Sequence, residues 1–370
     1  MSEQTLADTL DRSTHIAYYR RHLRLLPQPY TSTDLSRLTL IFFCVSALDL
    51  LQALPVGTDE LSQTREWANW IYLHCMLDDS SGFRGSPGTD SHIASTYFAI
   101  ATLAILRDDF KRVNRGRILG WLKQCQRVSG DFKGSFAPLL LSNKPHGELD
   151  LRFGYCASAL RWMLAGEGGS DDYDTGACAD FIMRCINYDG GIGQEPGTES
   201  HGGLTYCGLS TLMLLNRIDN LTLEQKRRLT RWLVSRQIKG STEDQTEVFD
   251  LGSSGLAAGF NGRVNKDPDT CYSFWIGASL SILGDFSLID FNANANFLLA
   301  CTQNRRFGGF GKLPGDFADA DTPDVMHSYL GLAALSLSSQ EMHLRHLDPA
   351  LCLTTETKSY LGTLRGKWMV

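Results

Sequence analysis

The sequence predicts an all-α fold, an α/α toroid in which six helical hairpins close an α6-α6 barrel around a central cavity. Three observations predict it. One pattern recurs five times: a glycine-containing turn, a variable loop, then a tyrosine leading a small-residue-rich apolar helix. Between these helices lie others whose apolar residues recur with helical period, and no segment shows convincing strand alternation. A repeat of about 50 to 60 residues holding two helices cannot bury its own face, so the pairs must stack on neighbours.

In chain order, residues to about 30 read as an N-terminal helical extension, and "LTLIFFCVSALDLL" as the apolar helix of a first pair. "TREWANWIYLHCML" leads through the turn "SGFRG" to "STYFAIATLAIL", with Tyr97. "GRILGWLKQCQ" and the turn "SGDFKG" precede "FGYCASALRWML", with Tyr155. The apolar run "FIMRC" and the turn "GGIGQ" precede "LTYCGLSTLMLL", with Tyr206. "AAGFNG" precedes "DTCYSFWIGASLSIL", with Tyr272, and "GGFGK" precedes "MHSYLGLAALSL", with Tyr329. Residues from about 340 to 370 form a C-terminal tail. Glycine supplies the backbone freedom that these reversals demand. The Ala-, Gly- and Ser-rich helices are expected inside, with the loops before them opening onto one end of the cavity. No Pro/Ser-rich linker or charge block divides the chain, so residues 1–370 are expected to form a single domain.

The balance of 35 Lys+Arg against 41 Asp+Glu sets up no net field toward nucleic acid or anionic membrane, so any basic function is local. No segment has the apolar length of a membrane span, and the start lacks the basic-then-apolar order of a signal peptide. The expectation is a soluble, cytoplasmic protein. Several of the ten cysteines, Cys44 and Cys185 among them, sit in apolar helical runs and read as reduced core thiols. "LRGKWMV" has no cysteine four from the end, so no prenylation signal is expected on this chain.

Registering the repeats brings polar residues to equivalent helix ends: His201 before the third tyrosine-led helix, Asp269 and Cys271 at the start of the fourth, His327 at the start of the fifth. Asp, Cys and His make a three-donor zinc set with one tetrahedral position left for substrate. The competing reading of "DTC" is an N-capping aspartate beside a buried thiol. "GRVNK" sets Arg263 and Lys266 just upstream of the donors, and with His201 and Tyr272 at helix starts they would suit a diphosphate. An isolated "RxxK" is otherwise a solvated basic loop. Trp275, Phe274, Tyr155, Trp162, Tyr206 and Phe310 are expected near the inward helix ends, either as an apolar funnel for an isoprenoid or simply as core.

The stretches "PGTESHGGLTYCGLSTL", "GRVNKDPDTCYSFWIGASL" and "GGFGKLPG" followed by "PDVMHSYLGLAALSL" resemble the β subunits of the protein prenyltransferases, most closely the geranylgeranyltransferase type I members. The likeness runs from about "SRLTLIFF" to "LAALSL". It implies that Asp269, Cys271 and His327 bind one zinc ion and that His201, Arg263, Lys266 and Tyr272 hold the diphosphate, with Arg152, Tyr155 and Trp275 at lipid-cavity positions. It also implies transfer of a geranylgeranyl group from geranylgeranyl diphosphate to the cysteine of a C-terminal CaaX sequence, X being Leu, on proteins such as small GTPases. An obligate heterodimer with a separate helical α subunit is implied as well.

Two positions carry the choice of branch. Thr39 stands where farnesyltransferases have a Trp on the cavity floor, leaving room for a fourth isoprene unit. Lys312 stands where they carry an Asp that recruits magnesium, so no Mg2+ requirement is expected. The stretch from Lys312 to His327 is longer than usual in the family, and Met326 and Leu330 flank the donor. A farnesyltransferase-type β subunit is the alternative. A class II terpene cyclase needs an acidic motif that "DADT", Asp319 to Thr322, does not complete, an α/α-barrel glycosidase needs carboxylates across the cavity, and a non-catalytic helical scaffold leaves the clustered polar residues unexplained.

Overall fold

In the computed structural model, residues 10–55, 60–77, 81–169, 172–239, 256–314, 322–338 and 342–369 are described. Helices dominate: α1 (Arg12–Arg24), α2 (Arg37–Leu50), α3 (Glu60–His74), α4 (Ile93–Ile105), α5 (Arg115–Cys125), α6 (Leu151–Met163), α7 (Thr175–Arg184), α8 (Gly202–Leu214), α9 (Leu223–Val234), α10 (Thr270–Leu283), α11 (Phe291–Asn296), α12 (Val325–Ser336) and α13 (Thr355–Trp368). The even-numbered helices from α2 to α12 touch in cyclic order, α12 meeting α2 to close the ring.

Sequence explains the two layers. Inner helices are apolar or small on nearly every face, as in α4, where ten residues from Ile93 to Ile105 are buried. Outer helices are one-sided: α9 buries Leu229, Trp232 and Leu233 and turns its arginines to solvent. Because each pair is a hairpin, all inner helices run the same way and their N-termini share one end of the ring. That end is capped by side chains. His92, Asp150, His201, Asp269 and Asp324 occupy the N-cap of α4, α6, α8, α10 and α12, each accepting from an N–H of the first turn.

Five positions past each cap comes the repeating aromatic: Tyr97, Tyr155, Tyr206, Phe274 and Tyr329. With Phe42 of α2 they form a buried band through all six inner helices. Centroids are 5.3 Å apart for Tyr206–Phe274, 5.5 Å for Tyr155–Tyr206 and Tyr97–Tyr155, 5.9 Å for Phe42–Tyr97 and 5.7 Å for Phe42–Tyr329. The register read from tyrosines alone is therefore corrected at α10, where Phe274, not Tyr272, is the repeat equivalent. The tyrosine at 272 lies two residues, about half a turn, closer to the helix start. The expectation for Trp162 and Phe310 is also corrected. Trp162 ends α6 at the opposite pole, under the Arg365 guanidinium at 4.4 Å. Phe310 packs on His15 of α1 at 4.9 Å.

Phe310 belongs to a second repeating feature. Before each inner helix from α4 to α12 the turn is an antiparallel bridge or ribbon: Met76↔Phe83, Gln126↔Phe136, Ile186↔Ile192, Gln237↔Phe260 and Gln303↔Phe310. The second residue of each pair is at most 1% exposed. The fourth pairing belongs to β3 (Gln237–Lys239) and β4 (Ala258–Phe260). Two further ribbons are β1 (Leu139–Leu141) with β2 (Lys144–His146) and β5 (Leu347–Asp348) with β6 (Leu353–Thr354). Such two- and three-residue strands leave no alternation to read.

The far end of the ring is sealed by residues 342–369. Tyr97 donates to the Leu351 carbonyl at 3.0 Å and Tyr329 to that of Cys352 at 2.8 Å. Asp49, 1% exposed at the end of α2, takes Thr354 at 2.6 Å and Thr357 at 3.0 Å and pairs with Arg345. Among the described residues no helix is long and apolar enough to cross a membrane.

Candidate active site

Cap chemistry brings the predicted donors together. Asp269 caps α10 by accepting the Cys271 N–H at 2.8 Å, which fixes its carboxylate beside the thiol two residues on. His327 lies on the first turn of the neighbouring α12, with Nε2 3.4 Å from Asp269 Oδ1. The donor atoms of Asp269, Cys271 and His327 all lie within 4.8 Å of one another, and all three residues are buried. The N-cap reading and the metal reading are thus compatible, since the Oδ1 that accepts the Cys271 N–H is also the atom that faces the imidazole.

Asp324 is the residue that sequence reasoning missed. Its Oδ1 accepts the Met326 and His327 N–H groups at 2.9 and 3.0 Å, and its Oδ2 meets His327 Nδ1 at 2.5 Å. With Nδ1–H donated to a carboxylate, Nε2 is the nitrogen left to face Asp269 and Cys271, the arrangement that orients a metal-ligating histidine. The available signal was an Asp three residues before the His at a helix start. Burial pulls the His327 pKa down, but Asp269 and Asp324 outweigh it and lift it to about 9. Burial and the Asp269 charge push the Cys271 thiol up, while Asp269 is held low despite burial by its bonds to His327 and Cys271. Without a metal, protons hold this cluster together.

Across α10 lies a second polar pair. The His201 Nδ1 accepts the Gly203 N–H at 3.1 Å, and its Nε2 is 2.9 Å from the Tyr272 oxygen. Burial, then Arg263, lowers the His201 pKa, so the ring is neutral, and the hydrogen-bond pattern assigns its proton to Nε2. Tyr272 then accepts from His201 and keeps its own O–H for an outside acceptor. The phenol ring needs the bare backbone of Gly262, where a Cβ would fall 2.0 Å from Tyr272 Cζ.

The remaining predicted residues surround these pairs. Arg263 is partnered with Glu199 at 3.2 Å, and Lys266 is exposed, its carbonyl accepting from Asn261 at 2.9 Å. The Lys312 carbonyl accepts the first N–H of α10, from Thr270, at 2.9 Å, which sets an exposed lysine beside the donors. Arg152 stays on the rim, its Nε donating to Asp150 at 2.8 Å. Tyr155 sits in the aromatic band, hydrogen-bonded to Tyr97 at 3.1 Å and accepting from Tyr206 at 3.3 Å. Trp275 packs at a tilt on Tyr206, the ring centroids 4.9 Å apart. Thr39 is half-buried on α2, one turn before Phe42 and Phe43. Of the stretch between Lys312 and His327, residues 315–321 lie outside the described residues. Met326 is exposed and Leu330 buried. A groove of about 580 Å³ between α1, α2 and α3 contains none of these predicted residues.

Residues 10–353 match the prenyltransferase alpha-alpha toroid domain family. The chain is 36% identical to the geranylgeranyl transferase type-1 subunit beta of Dictyostelium discoideum, over 87% of this chain and 89% of that one. It is 33% identical to the subunit of the same name from Arabidopsis thaliana, over 93% and 88%. Among solved structures, Candida albicans protein geranylgeranyltransferase-I complexed with GGPP superposes with a TM-score of 0.84 at 32% identity, covering 96% of this chain and 99% of that one.

Proposed function

Since the chain belongs to the prenyltransferase family and is a transferase, we propose that it is the catalytic β subunit of a zinc-dependent type I geranylgeranyltransferase. In this reading it works with an α subunit in the cytoplasm and moves the twenty-carbon group of geranylgeranyl diphosphate onto the cysteine of a C-terminal CaaX sequence. The observation that carries the reading is the Asp269–Cys271–His327 cluster lying one helix from the His201–Tyr272 pair.

The donor set suits zinc. Carboxylate, thiol and imidazole are the mixed ligands zinc accepts, and three of them leave one tetrahedral position. When bound there, zinc supplies a Lewis acid that keeps the substrate cysteine as thiolate at neutral pH. The protein residues do the rest. Asp324 holds the imidazole with Nε2 inward. Neutral His201 turns the Tyr272 O–H outward, and with Arg263, Lys266 and Lys312 it receives the diphosphate as charge accumulates on leaving. One C–S bond forms at C1 of the lipid, the C–O bond to diphosphate breaks, and the thiol proton passes to solvent. Arg263 must exchange Glu199 for phosphate oxygens, so Glu199 competes with the ligand. The Lys312 ammonium stands in for a divalent ion, and the small Thr39 side chain leaves depth for the longer lipid above the aromatic band.

The test is transfer by the chain with its α subunit, offering farnesyl and geranylgeranyl diphosphate with a CaaX peptide ending in Leu, zinc present and magnesium omitted. Preferential geranylgeranylation is expected. Farnesylation that requires magnesium would move the chain to the farnesyltransferase branch, and no transfer of either lipid would return it to a scaffold.

A further inference from the structure

Each inner helix must satisfy the N–H of its first residue, which no cap of its own reaches. At α4, α8 and α10 the neighbouring repeat supplies a main-chain carbonyl: Ile93 donates to Pro138 at 2.8 Å, Gly202 to Gly262 at 2.8 Å and Thr270 to Lys312 at 2.9 Å. These acceptors sit two residues past the bridge residues Phe136, Phe260 and Phe310. At α12 the ring closes onto the N-terminal arm, which enters as the 3-10 segment Gln28–Ser36 and not as a glycine turn. There a side chain takes over. The Tyr30 phenol oxygen accepts the Val325 N–H at 2.9 Å, and Tyr18 of α1 donates to the Pro323 carbonyl at 3.0 Å. Val325 is 1% exposed, so water does not replace the bond.

The next two N–H groups of that turn belong to Met326 and His327 and go to Asp324, which also grips His327 Nδ1. Tyr30, Asp324 and the aromatic arm thus secure one turn of helix, and that turn carries one of the candidate metal donors. We infer that Tyr30 is a positioning residue for His327: it substitutes for the missing repeat carbonyl and holds the first turn of α12 in the conformation that points Nε2 at Asp269 and Cys271. The inference rests on the zinc reading of the triad. Because the clasp is a side chain, it is removable by substitution, whereas the equivalent clasps at α4, α8 and α10 are backbone.

The experiment compares wild type, Tyr30→Phe and the double variant Tyr30→Phe/Val325→Pro, each as the full chain with its α subunit. Zn2+ and Co2+ affinity are measured by chelator competition, with amide exchange followed at Val325–His327 in the metal-free state. Proline at the first helical position has no N–H to leave stranded, and the extended backbone of Asp324, φ −115 and ψ 160, suits a residue before proline. Tyr30→Phe is expected to weaken metal binding by about tenfold, to speed exchange in the first turn of α12, and to leave geranylgeranyl diphosphate affinity unchanged, since the caps of α8 and α10 are untouched. The double variant is expected to regain the metal affinity. Unchanged metal affinity in Tyr30→Phe overturns the inference, as does a loss that Val325→Pro does not restore. A wild-type chain that takes up no metal removes the zinc reading and the clasp with it, a result distinguishable from a zinc-loaded wild type beside an unaffected variant.

Discussion

At their N-terminal ends the inner helices carry His201, Asp269, Cys271, Tyr272 and His327, held largely by one another and by protons. At the opposite end of the ring α2, α4 and α6 meet residues 342–369, where Asp49 is satisfied by two threonines and an arginine, Trp162 lies under Arg365 and Tyr360 donates to the Asp108 carbonyl at 2.7 Å. One end is a set of donors and acceptors awaiting partners from outside; the other has found its partners within the chain. The difference teaches that a burial map alone does not locate function in a toroid, since Asp49 and Asp269 are both buried carboxylates. What separates them is whether the surrounding groups can be replaced by a ligand without breaking the fold.

That contrast is open to direct attack. The largest effect on function is expected from Asp269→Ala, which should abolish stoichiometric zinc and transfer with it, while the lost α10 cap lowers metal-free stability by only about 1 kcal/mol. At the opposite pole, Asp49→Ala strands Arg345 and two hydroxyls, and should cost about 3–5 kcal/mol in chemical denaturation with kcat of the folded fraction unaltered. If Asp49→Ala instead removed zinc with stability intact, the division between the two ends would fail. Asp324→Asn should reduce zinc affinity by about 10- to 100-fold, read by chelator competition.

The pH dependence sharpens the same division. In the metal-free protein the raised His327 pKa means that its imidazolium adds stability below about 6.5 that disappears as pH rises through about 9. In the zinc reading the ion would displace that proton and the one on Cys271, so binding should tighten toward alkaline pH, log K gaining up to about two per unit between pH 7 and 8. A flat profile by titration calorimetry would show that the donors are already deprotonated. The smallest effect belongs to Gly262→Ala, where the new methyl pushes the Tyr272 ring aside and should weaken geranylgeranyl diphosphate by about tenfold with zinc binding unchanged.

The ring was legible in the sequence because its signals are periodic: glycine turns, small-residue helices and an aromatic at a fixed place. The polar residues were legible because caps repeat at the same place. Tyr272 was misregistered because residue identity was followed in place of distance from the cap, and in α10 the cap is Asp269, five residues before Phe274. Trp162 and Phe310 share the composition of the band, but a helix end and a bridge direct them elsewhere, which no local pattern encodes. Asp324 escaped notice because an acidic residue before a helix reads as a cap whether or not it also holds an imidazole. The Tyr30 contact with α12 spans nearly the whole chain and depends on which repeat closes the ring, information present only in three dimensions.

The plug at the sealed end has a consequence for how such a molecule can change. Tyr206, Tyr155 and Tyr97 pass a directional run of hydroxyl donation to the carbonyl of Leu351, so the wall and the plug are joined through a main-chain atom that any residue at 351 would provide. The far end of the ring is therefore closed by a peptide encoded separately from both the wall and the reactive rim. Mutation can lengthen, shorten or restock that peptide while the junction and the rim chemistry remain as they are, which makes the closure of the far end and the reactivity of the rim independently heritable traits.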